Sequence, residues 1–162
     1  MADVELVGRG LVLERDLYVL YLESPEDFPD NLSLGSPSFA CLLAWDSRGV
    51  EVKQIAKLAG ELLKAGAVYI CAWGPDCERV HDIFDEEIVG SNPSPDDPFI
   101  MTTWHSRETL AGAIWFVLMC SNLDEDRELG CASTLGVTIG NLGWHDEIRS
   151  AFRDSDGFCS SI

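Results

Sequence analysis

The stretch "AVYICAWGPDCERVHDIFDEEIVG", Ala67 to Gly90, decides the fold. Its first seven residues are apolar without alternation, the pattern of a strand buried on both faces. Gly74 and Pro75 then break the chain. Pro75 suits the first position of a helix, and Asp76 and Glu78 suit its first turn, where carboxylates complement the positive end of the helix dipole. Cys77 is then expected as the third helical residue. Val80, Ile83, Phe84 and Ile88 recur at helical spacing and make one apolar face. A strand with no polar face that hands over to an amphipathic helix implies a parallel sheet covered on both sides.

The same grammar extends in both directions. Upstream, "SFACLLAW" (Ser38 to Trp45) is another non-alternating strand. It is followed by a helical stripe at 52, 55, 56, 58, 59, 62 and 63, with Gly66 as C-cap. Downstream, "FIMTTW" (Phe99 to Trp104) predicts a third buried strand, and Ser106 a cap for an apolar helix over 107–122. "STLGVTIG" (Ser133 to Gly140) predicts a strand and "WHDEIRSAFRD" a closing helix, with "SDGFCSSI" as a fraying tail. Near the N-terminus "LYVLYL" (Leu17 to Leu22) is a strand, and "GLVL" (Gly10 to Leu13) pairs with it as a hairpin or leads into it. No helix follows that pair, so the first strand is open to an antiparallel placement. Prolines and turn formers mark loops at 23–37 and 90–98, and polar residues mark a third at 124–132.

The expectation is a single α/β domain over 1–162: a three-layer α/β/α sandwich with a mostly parallel sheet of about five strands. Its alternation resembles Rossmann-like and flavodoxin-like domains as architecture. No motif carries a function over from either.

Composition narrows the partners. Twenty-eight acidic residues against 11 basic ones give a formal charge of −17. Such a surface repels nucleic acids and anionic membranes, and could steer a basic protein towards it. The longest apolar run, Leu110 to Cys120, is too short to span a bilayer. The first residues lack a basic segment followed by an apolar run, so a cytoplasmic protein is expected. The apolar helix 107–122 must be deeply buried or shared between two copies in a homodimer. Six cysteines without a CxxC pair read as reduced thiols.

Three successive strands end alike: "CLLAWD", "YICAWG" and "IMTTWH". Ligands of open parallel sheets bind just outside these carboxyl ends. Asp46, Gly74, Cys77, His105 and Ser106 are therefore expected on one rim, with Trp45, Trp73 and Trp104 beside them. "NLGWHDE" adds Trp144 and His145 to the same rim. Two readings follow. In the first, the rim tryptophans and His145 anchor a basic protein partner, and the domain is of inhibitor, immunity or adaptor type without catalysis. In the alternative, Cys77 at a helix N-terminus acts as a thiolate with His81 or His105 as base and Asp46 or Asp82 as orienting group, in a small hydrolase or transferase. Cys77 and His81 share a helix face at i, i+4 and, with His105, are weak candidates for zinc. No glycine-rich phosphate loop and no GxSxG elbow occurs, so no nucleotide cofactor is expected.

Overall fold

The computed structural model describes residues 3–97, 99–123 and 130–162. Among these, six strands form one sheet: β1 (Glu5–Gly10), β2 (Arg15–Leu22), β3 (Ser38–Trp45), β4 (Ala67–Trp73), β5 (Met101–Trp104) and β6 (Cys131–Ile139). The helices are α1 (Val52–Ala65), α2 (Cys77–Gly90), α3 (Leu110–Met119), α4 (Leu142–Arg153) and α5 (Ser155–Ser160), with a 3-10 turn at Pro25–Asp27. The strand order is β1-β2-β6-β3-β4-β5. β1 runs antiparallel to β2, and every other neighbouring pair is parallel.

The three layers follow from the apolar pattern. One face of the sheet (Leu20, Phe39, Cys41, Leu43, Ile70) packs against Ile55, Leu58 and Leu62 of α1 and Val80, Ile83 and Phe84 of α2. The other face (Leu17, Val19, Leu42, Tyr69, Cys71) packs against Ile114 and Val117 of α3 and Ile148 and Phe152 of α4. Each buried apolar residue of this size contributes roughly 1.5–3 kcal/mol of transfer energy, which is why the interior strands β3 and β4 are apolar on both faces. α1 ends as predicted, on Gly66 in the left-handed region.

The strand order has a simple cause. β2 is followed by a loop and a short 3-10 turn, not by a crossover helix, so β3 does not pair with β2. The vacant position between them is taken by β6, which bonds to both neighbours over most of its length. β3 then leaves its carboxyl end towards α1 on one face, whereas β6 leaves towards α4 on the other.

Several expectations are corrected. "GLVL" is the tip of the hairpin: Leu11–Glu14 form the turn, Leu11 and Val12 are exposed, and β1 lies earlier at Glu5–Gly10. β5 is not buried; it is a four-residue edge strand with exposed and half-buried positions. The apolar helix is shorter than 107–122, and its cap is Thr109, whose hydroxyl accepts from the Gly112 N–H; Ser106 lies in the preceding turn. Five of its apolar residues, Leu110, Ala113, Ile114, Val117 and Leu118, are buried within this one chain. Cys77 is the first residue of α2, not the third, because Asp76 takes a left-handed cap conformation. β6 begins at Cys131, inside the segment read as a loop to 132; the remainder, 124–129 with its acidic run, lies outside the described residues. The tail is not frayed throughout, since Ser155–Ser160 form α5, capped by Asp154.

Candidate functional site

The carboxyl ends of the parallel strands do gather on one rim, and short-range clamps fix it. The Arg79 Nη2 donates to the Ser47 carbonyl at 2.7 Å, and its Nε to Asp76 at 2.7 Å. The Ser47 N–H donates to the Pro75 carbonyl at 3.3 Å. The loop after β3 is thereby tied to the start of α2. Gly74 is required in this corner: it sits at φ 119°, and a Cβ there would collide with the Trp45 carbonyl.

The central part of the rim is a cleft of about 440 Å³ between the ends of β3 and β6, where the two chains diverge to opposite faces. Trp45, Pro75, Ile139 and Trp144 supply apolar wall, and Glu23, Asp46 and Arg48 supply charge. Asp46 and Arg48 are committed to each other through two hydrogen bonds of 2.9 and 2.7 Å, which hold the Asp46 carboxyl below its usual range. The Asn141 side chain accepts from the Trp144 N–H and caps α4. Trp45 is only 4% exposed, so it is a core residue that presents an edge to the cleft and not an anchor.

The groups expected to do chemistry do not converge. Cys77 is buried under the start of α2, and burial pushes its thiol up, against the thiolate that a helix N-terminus would favour. His105 is buried and bridged on both ring nitrogens, to the Thr103 hydroxyl at 2.9 Å and to Glu108 at 2.9 Å, with its ring against Phe116. His81 is largely covered between α2 and the sheet edge, where its Nδ1 meets Asp82 at 2.9 Å and its Nε2 meets Asp85 at 3.4 Å. Asp46 bonds to Arg48 and to neither histidine. Among the described residues no group of three His, Cys, Asp or Glu side chains is arranged to hold a metal ion, and Cys77, His81 and His105 are not brought together as one ligand set.

The tryptophans separate into distinct roles. Trp73 donates its Nε1 to the Glu108 carbonyl at 2.8 Å and meets Trp144 edge-on, with ring centroids 4.9 Å apart. This pair ties β4 to α4. His145, half-buried, leans on Tyr21, and burial lowers its pKa. Trp104 differs: at the carboxyl end of the edge strand it is 44% exposed, and its ring lies 4.5 Å from that of His81. Just below it the Thr102 hydroxyl donates to Asp85 at 2.6 Å. An exposed indole, a histidine and two carboxylates therefore form one continuous surface.

Arg48, Thr103, Asp85 and Glu108 complete these arrangements and were not singled out from the sequence. Arg48 and Glu108 carried a usable signal, since each lies two or three residues beyond the partner it holds. Thr103 carried none, because only the strand geometry sets its hydroxyl against His105.

Residues 17–155 match the family described as Domain of unknown function (DUF7684), and the chain belongs to that family. No curated protein and no solved structure matches the chain.

Proposed function

We propose that this member of the DUF7684 family is an acidic cytoplasmic protein-binding domain that recognises a basic partner and performs no catalysis of its own. The observation that carries the reading is Trp104, a large aromatic left half in solvent and seated on His81 beside Asp82 and Asp85. Aromatic side chains flanked by charge are the residues that dominate protein interfaces when a partner covers them. A charge of −17 would speed encounter with a basic surface and make the complex sensitive to salt. The absence of a membrane-length apolar helix among the described residues agrees with an aqueous location.

The thiol-hydrolase alternative finds no support in the geometry, because the nucleophile is buried and the candidate bases are engaged elsewhere. Two experiments test the reading. A partner recovered on the wild-type chain and then purified is expected to bind at least about tenfold more weakly to Trp104→Ala, and to weaken as salt rises from about 0.1 to 0.5 M. Equal binding by the variant would remove Trp104 from the interface. Iodoacetamide is expected to label Cys77 slowly in the folded chain and rapidly after unfolding. Fast labelling near neutral pH in the folded chain would restore the thiol enzyme.

A further inference from the structure

We propose that the open edge of β5 receives an extended basic segment of the partner as a seventh strand of the sheet. The proposal rests on the protein-binding reading and specifies how the partner docks. Among the described residues no strand pairs with the outer side of β5. An edge strand turns half of its backbone N–H and C=O groups outward, and these are a template for an incoming strand.

The register names the groups. The His105 N–H donates to the Ala72 carbonyl on β4. Both backbone groups of one residue point to the same side of a strand, and the side alternates. Residues 101, 103 and 105 therefore face β4, and Thr102 and Trp104 turn their N–H and C=O groups outward. The side chains alternate between the two sheet faces as well. Thr102 and Trp104 lie towards α2, where they meet Asp85 and His81. Met101 and Thr103 lie towards the opposite face, and Met101 is 36% exposed.

Charge selects the occupant. The strip that borders the edge carries Asp82 and Asp85 on α2, and β5 itself has no charged residue. A second copy of the chain would bring its own carboxylates and its own charge of −17 against this strip, which opposes edge-to-edge self-pairing. A segment that alternates Lys or Arg with apolar residues fits both faces. Its cations would lie beside Trp104, Asp82 and Asp85, about one strand spacing, ~4.8 Å, from β5. Its apolar residues would cover Met101.

The test uses the full chain and the peptide Lys-Val-Lys-Val-Lys-Val-Lys, with a version N-methylated at alternate residues to block backbone pairing while keeping charge and side chains. The unmodified peptide is expected to bind at least about tenfold more tightly than the N-methylated one. In amide exchange, the Thr102 and Trp104 N–H groups are expected to slow when it binds, while those of Thr103 and His105 stay unchanged. Asp82→Asn with Asp85→Asn is expected to weaken the peptide about tenfold and leave the unfolding midpoint in place. Three results would overturn the proposal: failure of the unmodified peptide to bind, equal binding by both peptides, or protection of Thr102 and Trp104 in the peptide-free chain with a dimer in sedimentation. Each of these leaves the general reading intact if the purified partner still requires Trp104. Loss of that requirement as well would end both.

Discussion

The two edges of the sheet are built in opposite ways. β1, at one end, is defended. An extra residue bulges its pairing with β2 between Leu6 and Gly8. Arg9 pairs with Asp16 across the hairpin at 3.0 Å, and Arg149 of α4 grips Glu5 with two hydrogen bonds. The Ser155 hydroxyl of α5 donates to the Arg9 carbonyl at 2.9 Å, so a helix occupies part of the outer backbone. β5, at the other end, has no bulge and no charge of its own, and it leaves Met101 and Trp104 partly in solvent. Bulges, charges and covering elements are the usual means of stopping unwanted strand addition. The molecule spends them on one edge and leaves the other accessible. An open edge beside the carboxylates of Asp82 and Asp85 is the feature on which the proposed docking of a cation-bearing strand rests.

This contrast can be broken at either edge. The largest effect is expected at Gly8, where a Cβ would collide with the Phe152 carbonyl of α4. Gly8→Ala should lower unfolding stability by about 2–3 kcal/mol in urea titration, because helix and strand must separate. A loss under about 0.5 kcal/mol would mean that the covering helix is loosely held. Next, Ser155→Ala removes the clamp on β1 and should cost about 1 kcal/mol in the same assay. At the open edge, Met101→Lys should change stability by less than about 0.5 kcal/mol while adding the kind of charge that β1 already carries. A larger loss would show Met101 to be a packing residue. The smallest effect concerns acid. Arg149 holds the Glu5 carboxyl below its ordinary range, so the contact contributes fully above the usual carboxylate pKa and is lost as pH falls through the lowered value. Arg149→Gln should flatten the acid limb of the stability curve below the ordinary carboxylate pKa, and an unchanged limb would assign the pair no role.

How much of this was legible in the sequence depends on how local each feature is. The handover at Gly74 and Pro75 and the Gly66 cap follow from chain stereochemistry over a few residues, and they were readable. The convergence of the strand ends on one rim was also readable, because parallel strands must share a carboxyl side. The depth of each side chain was not. Trp45 and Trp104 end near-identical motifs, yet one belongs to a strand flanked on both sides and the other to the sheet edge. Strand order separates them, and no residue near either tryptophan records it. For the same reason "FIMTTW" read as buried: an open edge rich in apolar and β-branched residues has the composition of an interior strand. "GLVL" misled in the opposite way, since apolar residues at a hairpin tip carry strand propensity without a strand. Cys77 sat where theory favours a thiolate, but its burial is set by packing against distant residues, and that penalty outweighed the helix end.

The position of β6 has a further consequence, for synthesis on the ribosome. Among the described residues the hairpin β1–β2 and the block β3-β4-β5 are joined only through β6, which is made after all of them. The nascent chain therefore holds two half-sheets with bare inner edges, rich in Leu, Val and Ala, until residues 131–139 emerge. Closure through such distant contacts is slow, and exposed strands of this kind are prone to wrong pairing in the interval. A stop codon or frameshift just before Cys131 would release the sheet without its keystone, and truncated chains should be found with holdase chaperones or in inclusion bodies.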